Sequence, residues 1–281
     1  MTPAGRPIVF VSDFGYRNEW VGICHAVMNR VAPGSPVVDL SHGIPPLDVQ
    51  NGALLLADSL PYVSADAVLL AVVDPSVGRD RDVALETGEG RLFVGPDNGL
   101  LAPAAEASSG VIRAVEITSP DIILSPVSPV LHARDVLAPA AAHLASGGAF
   151  EALGDALDPK SLTTFDLPTP TVEPRKIECE VLDLNRFGNV MLNVREAHLG
   201  EAGLEDIGTI QVDATSGAAQ ALRVSTYADL AAGDWGIVVD PRGWLLVVRG
   251  NPANAAEGLG NVSPGDPIWL TEARALGALR V

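Results

Sequence analysis

Residues 67–73 read Ala-Val-Leu-Leu-Ala-Val-Val, and Asp74 ends the run. A near-continuous apolar stretch of strand length predicts a strand covered on both faces, because neither side of its alternation is polar. Such a strand needs a layer above it and a layer below it. The segments around it supply candidates for both. Pro7–Ser12 (PIVFVS) is a strand candidate that ends at Asp13, and Pro36–Leu40 (PVVDL) is another. Between them Trp20, Ile23, Cys24, Val27, Met28 and Val31 recur at helical spacing, and Asn51–Leu60 reads as helical too. RLFVG, VIRAVEI and the alanine-rich DVLAPAAAHLASG follow. Strands alternating with helices predict an α/β layer fold with a mainly parallel sheet.

The pattern changes at SLTTFDLPTPTVEPR, where three prolines and no periodicity predict a linker. Beyond it the segments are short and β-rich, among them IECEVLDL, GNVMLNV, TIQVDA, WGIVVD and WLLVVRG, with glycines and aspartates between them. That spacing predicts a small barrel or sandwich. A length of 281 residues leaves room for both parts, each with its own core.

Charge narrows the function classes. A formal net charge of -17 repels phosphate backbones and anionic lipid, so nucleic acid and membrane surfaces are poor partners. Cys24 and Cys179 both sit in apolar patterns and read as buried thiols, and no CxxC predicts a zinc site. No cofactor or metal is expected, and no metal-ligand cluster is legible. The opening MTPAGRPIVFVSD has no charged leader ahead of a long apolar core, and no run approaches membrane-spanning length, so the cytoplasm is the expected compartment.

In an open α/β sheet ligands bind beyond the carboxyl ends of the strands. Asp13 and Asp74 fall at two such ends, and a glycine follows each within four residues. Either aspartate alone could be a turn cap. Two in the same topological position point to a site. His132 stands in a polar loop just before a helix, whereas His25, His42, His143 and His198 read as structural. In the second half, Asp183, Asn189 and Asn193 surround a glycine turn, and Arg242 and Arg249 each offer a guanidinium able to clamp a carboxylate. There is no GxGxxG after the first strand, no Walker loop, no HExxH and no GxSxG.

SDFG, VVDPSVGRDR, GPDNG, LHARD, NRFGNVMLN and DPRGWLLVVRGNPANAA occur in this order. Together they resemble the S-adenosylmethionine hydroxide adenosyltransferases, relatives of the adenosyl fluorinase and chlorinase, over nearly the whole chain. The resemblance implies a Rossmann-like three-layer α/β domain over 1–162, a linker over 163–176 and a small β-barrel domain over 177–281. It further implies a homotrimer with active sites between subunits, S-adenosylmethionine as substrate and adenosine as product. Asp74, Arg81 and His132 match the family's catalytic set. Asp13 matches the carboxylate on the ribose hydroxyls, Phe14 and Asn98 are further substrate-binding positions, and Asn18 stands where the family contacts the methionine ammonium. Asp183, Phe187 and Asn189 match groups around the methionine end, and Arg242 matches the group on its carboxylate. Tyr227, Arg249 and Asn251 fall where adenine is expected. The chain departs from the family pattern at Asn18 (usually aspartate), at Ser76 and Ala133 (usually glycine) and at Pro241 (usually serine).

The implied reaction makes chemical sense. The sulfonium renders C5′ electrophilic and the leaving thioether is neutral, so no general acid is needed. The site must supply an aligned water and a route for its proton. A halogenase of the same family is the nearest alternative, and a non-catalytic adenosine or S-adenosylmethionine binding module is another. A carboxylate at Asp74 would repel a halide about 4 Å away by roughly 4 kcal/mol at an effective dielectric near 20, which favours water.

Overall fold

The computed structural model describes residues 5–74, 80–251 and 254–273, and the chain divides into two compact units, Met1–Asp166 and Leu167–Val281. The first unit is a mixed α/β fold. Its strands are β1 (Ile8–Ser12), β2 (Val37–Ser41), β3 (Val68–Val72), β4 (Asp82–Thr87), β5 (Leu92–Pro96), β6 (Val111–Ile117) and β7 (Gly154–Leu157), in the sheet order β2-β1-β3-β5-β4-β6-β7. The helices are α1 (Trp20–Val31), α2 (Val49–Ser59), α3 (Ala102–Glu106) and α4 (Ala138–Ala145).

Alternation along the central strands explains the apolar run. Ile8, Phe10, Val68, Leu70 and Val72 enter one core with Cys24 and Met28 of α1 and Leu144 of α4. Val11, Leu69, Ala71 and Val73 enter a second core with Ala53 and Leu56 of α2 and Ala104 of α3. One strand thus serves two cores because successive side chains point to opposite faces. Each such leucine or valine contributes on the order of 1.5–3 kcal/mol by burial.

Only part of the sheet is parallel, which corrects the expectation of a mainly parallel one. β2/β1, β1/β3 and β3/β5 are parallel; β5/β4, β4/β6 and β6/β7 are antiparallel. The cause is loop length. Gly88–Arg91 is too short for a crossover, so β4 and β5 must form a hairpin, closed by Gly90 at φ 77°. On the parallel side β1 lies between β2 and β3, and the helices leading into those two strands cover opposite faces. The carboxyl ends of β1 and β3 therefore flank a topological switch point, where open α/β sheets form a crevice.

The second unit contains β8 (Thr171–Glu173), β9 (Lys176–Leu184), β10 (Val190–Arg195), α5 (Glu196–Ala202), β11 (Thr209–Ala214), β12 (Ala218–Arg223), β13 (Trp235–Val239), β14 (Trp244–Arg249), α6 (Ala255–Gly258) and β15 (Pro267–Glu272). The ladder runs β10-β14-β13-β12-β11-β15-β9, and β9 pairs back onto β10, so it closes into a barrel. Closure leaves no edge among those strands. Val190, Leu192, Ile210, Val212, Leu245, Val247, Ile268 and Leu270, alternating along their strands, share its core. The proline-rich stretch read as a linker contains β8, which pairs with Lys176–Glu178, and Thr163, whose N–H donates to Asp97 at 2.7 Å. Among the described residues no helix is long and apolar enough to cross a membrane.

Two glycines give opposite expectations. A Cβ at Gly95 of β5 would lie 2.5 Å from the Ala71 carbonyl oxygen of the neighbouring strand, whereas one at Gly22, on the exposed side of α1, would meet nothing within 4 Å. Gly95→Ala should destabilise the protein by roughly 1–3 kcal/mol through overpacking. Gly22→Ala should stabilise it by up to about 1 kcal/mol through helix propensity. Denaturant unfolding of the two variants checks both signs.

Candidate active site

The site begins at the carboxyl ends of β1 and β3. Asp13 follows β1, and its Oδ2 accepts the backbone N–H groups of Leu47 (3.0 Å) and Asp74 (3.4 Å). Both donors belong to residues with positive φ, 66° at Leu47 and 41° at Asp74. Non-glycine residues rarely hold that conformation, and it costs on the order of 1–3 kcal/mol unless the surroundings fix it. Asn98 fixes it from the other side. Its amide donates to the carbonyls of Val73 (2.9 Å) and Asp74 (2.8 Å), and its oxygen accepts the Leu100 N–H at 3.1 Å. The Asn98 amide is thus engaged with backbone at both ends, which makes it a positioning group for Asp74. Asp13 Oδ1 accepts no hydrogen bond among the described residues and is the oxygen left for a ligand.

Arg81 and His132 lie on opposite faces of the sheet. Asp97 N–H donates to the Arg81 carbonyl at 2.8 Å, which extends the β4–β5 ladder by one pair and sets their side chains across from each other. Arg81 Nε reaches Asp97 Oδ2 at 3.1 Å, and its Nη2 donates to the Ser161 carbonyl at 2.8 Å. The next residue, Asp82, points the other way, and its Oδ2 holds His132 Nδ1 at 2.6 Å. Among the described residues no hydrogen bond or ion pair links Asp74, Arg81 and His132 to one another. An ionised carboxylate only accepts, so His132 carries a hydrogen on Nδ1, and in the neutral imidazole Nε2 is the acceptor. Pro75–Arg79, which includes the Ser76 departure, lies outside the described residues.

His132 is placed by an irregular helix start. Ala133–Leu137 is a π-helical turn that runs into α4. Pro139 has no N–H to donate backwards, and the Asp135 carbonyl accepts the Leu124 N–H at 2.8 Å instead. Arg134 holds the Asp135 carboxylate at 2.6 and 2.7 Å and keeps its pKa below the usual carboxylate range. Ala133, where the family pattern expects glycine, is buried in the α1/α4 core. Phe14 packs edge-on against Phe10 and Trp20, and Asn18 is exposed.

The barrel positions separate into two groups. Asp240 accepts the N–H groups of Arg242 (2.9 Å) and Trp244 (3.0 Å) and binds Arg242 Nε at 2.7 Å, so the turn after Pro241 and its guanidinium are ordered together. Arg242 Nη2 lies 3.0 Å from Met191 Sδ, and Met191 pairs with Asp183 across β9–β10. Asp183 and Arg242 thus converge on one methionine. Asn185 organises the following turn, its Oδ1 accepting the N–H groups of Phe187 (3.0 Å) and Asn189 (3.1 Å). Phe187 is 62% exposed at its tip and Asn189 is buried. Arg249, at the far end of β14, stacks on Trp235 at 5.2 Å. A ligand reaching both Arg242 and Arg249 must lie along that strand. Tyr227 is 55% exposed in a single turn capped by Thr226, and Asn251 is exposed as well.

Sequence reasoning missed Asp82, Asp97 and Asp240. Their signal was present as the RD, DN and DP pairs of the motifs, but an aspartate beside such a residue in a loop is common. It also missed the convergence of His25, Asp39 and His42, whose ligand atoms lie within 4.8 Å of one another.

Burial pushes the Asp82 carboxyl up, and the neighbouring His132 offsets only part of that rise. A raised folded-state pKa means that this stabilising contribution is full below the unfolded value and is lost as pH climbs through the folded one. Relative to the parent protein, Asp82→Asn should therefore gain stability as pH is raised from about 4 to about 7. Unfolding free energies across that range measure it, and a pH-independent difference would remove the buried-charge account.

Comparisons with known proteins agree with this layout. The sequence model for the SAM hydroxide adenosyltransferase N-terminal domain matches residues 8–154, and that for the C-terminal domain matches residues 179–269. An (R)-S-adenosyl-L-methionine hydrolase from Salinispora tropica is 41% identical over 265 residues, which covers 94% of this chain and 97% of that protein. A fluorinase from an Actinoplanes species is 28% identical over 286 residues, covering 89% and 93%. A solved structure, an uncharacterized conserved protein from Thermotoga maritima, superposes with a TM-score of 0.86 at 30% identity, covering 94% of this chain and 99% of that one. The two domain matches fall in chain order, one within each compact unit, and the chain belongs to the SAM hydroxide adenosyltransferase family.

Proposed function

We propose that the chain hydrolyses S-adenosylmethionine to adenosine and L-methionine by attack of water on C5′. The observation that carries this reading is the Asp74 carboxylate at the switch point, on a backbone held by Asp13 and Asn98. The greater identity to the Salinispora hydrolase, 41% against 28% for the fluorinase, supports water over halide.

The reaction forms the C5′–O bond as the C5′–S bond breaks. The bonding pair leaves with sulfur, which becomes a neutral thioether, and one water proton must depart. Asp74 accepts a hydrogen bond from the water and fixes its lone pair toward C5′. His132 Nε2, the acceptor left by the Asp82 bond, is a second place for the proton. Arg81, tied to Asp97 and Ser161, acts in this reading as a fixed positive charge that stabilises hydroxide character in the attacking water. Asp13 Oδ1 takes the ribose hydroxyls. Asp183, Asn189 and Arg242 take the methionine end, with Phe187 beside them, and Tyr227, Arg249 and Asn251 take adenine. The acidic field of the chain favours a cationic substrate. A homotrimer in the cytoplasm, with each site shared between subunits, completes the proposal; light scattering of the purified protein should give three times the chain mass.

Incubation with S-adenosylmethionine should release adenosine and methionine in equal amounts, with no halide requirement. In ¹⁸O-labelled water the label should appear on the 5′-hydroxyl, and unlabelled adenosine would rule out displacement by water. Asp74→Asn should lower kcat by about a hundredfold or more while substrate still binds in calorimetry. Full turnover in that variant would take Asp74 out of the mechanism.

A further inference from the structure

We propose that His25, Asp39 and His42 form a binding site for one divalent zinc ion, apart from the residues assigned to the reaction and independent of the hydrolase reading. The three come from different elements. His25 is on α1, Asp39 is in β2, and His42 follows β2 directly. Asp39 Oδ1 lies 2.7 Å from His25 Nε2 and 3.0 Å from His42 Nε2. Two imidazoles and a carboxylate with an open fourth position are the donor set of a four-coordinate zinc site. Tetrahedral bonds of about 2.0–2.1 Å place ligand atoms roughly 3.3 Å apart, so each Asp39–histidine contact needs to open by only about half an ångström or less, in a cluster whose ligand atoms all lie within 4.8 Å of one another.

A second observation points to a ligand. The His42 side chain is fully buried, yet its Nε2 makes no hydrogen bond in acceptable geometry, although Asp39 is 3.0 Å away. Its other nitrogen, Nδ1, lies 2.7 Å from Ser12 Oγ. With the hydrogen on Nδ1, that contact is the outer-shell bond that fixes a metal-binding imidazole, and Nε2 turns a lone pair toward Asp39. A buried lone pair facing a carboxylate oxygen is repulsive, and a cation between them removes the repulsion. Asp39 is suited to the part. Its Oδ1 faces both Nε2 atoms, and an ionised carboxylate supplies the negative charge that a divalent ion draws on. The rings of Phe10 (4.6 Å) and Tyr16 (5.2 Å) flank His42 edge-on and leave its nitrogens for polar partners. The His25 side chain is 34% exposed, which gives an ion a path in and a water a place as fourth ligand.

Binding here would tie α1 and β2 to the loop after β1, because the His42 carbonyl accepts the Gly15 N–H at 2.7 Å and Ser12 precedes Asp13. The test uses the full chain without a histidine tag, stripped with chelator and titrated with zinc by calorimetry and metal analysis. One ion per chain should bind saturably and raise the melting temperature, and cobalt in its place should give the visible absorption of a four-coordinate ion. His25→Ala, chosen because His25 is partly exposed and its loss should leave the fold intact, should weaken binding beyond the roughly 10–100-fold that losing an outer-shell partner costs. Asp39→Asn should do the same. No saturable uptake by the parent chain, or uptake unchanged in either variant, would overturn the proposal and leave the three residues a hydrogen-bonded chain.

Discussion

One carboxylate oxygen organises the candidate site of the first unit. Asp13 Oδ2 accepts the amides of Leu47 and Asp74, and both residues sit at positive φ. Hydrogen bonds to a charged group contribute about 1.5–3 kcal/mol each, the same order as the strain they offset. Without that anion, two loops lose the contact that sets their geometry. Asn98 completes the arrangement by holding the carbonyls on either side of the Val73–Asp74 peptide. The direction of the Asp74 side chain therefore follows from backbone contacts made by two other residues, and these lie at the switch point because β1 is the strand where the sheet reverses its order.

The hairpin that makes the sheet mixed also decides the electrostatics. Because β4 runs antiparallel to β5, Arg81 meets Asp97 across the ladder and Asp82 turns to the opposite face, toward His132. A parallel β4 would place other residues there. Neighbours in sequence thus serve two separate ion pairs, one on each side of one strand. The Asp82–His132 pair orients the imidazole through Nδ1, while the Arg81–Asp97 pair holds the guanidinium in place.

Motif residues in the barrel were legible by type and order, but their groupings were not. Arg242 is recognisable from its turn, yet its geometry comes from Asp240, which binds both its backbone and its guanidinium. Asp183 approaches it only because β9, β10 and β14 lie side by side and place Met191 between them. The histidines show the same limit more sharply. His25 and His42 each looked like an ordinary structural histidine, since seventeen positions of sequence separate them and nothing local marks a pair. Folding α1 over β2 brings both onto Asp39.

The sequence by itself determined the layers and the placing of Asp13 and Asp74 at strand ends. An apolar run with no polar side must be covered twice, proline clustering marks where one pattern ends, and aspartates at strand ends stand where open sheets bind ligands. Those properties are local, set by periodicity and by single residues. The tertiary structure decided what each charged group touches. Strand direction sent Arg81 and Asp82 to different faces, barrel closure joined β9 to β10, and helix packing assembled the His25–Asp39–His42 cluster. Contacts between residues distant in sequence depend on register and layer packing, and neither is written in the spacing of residues along the chain.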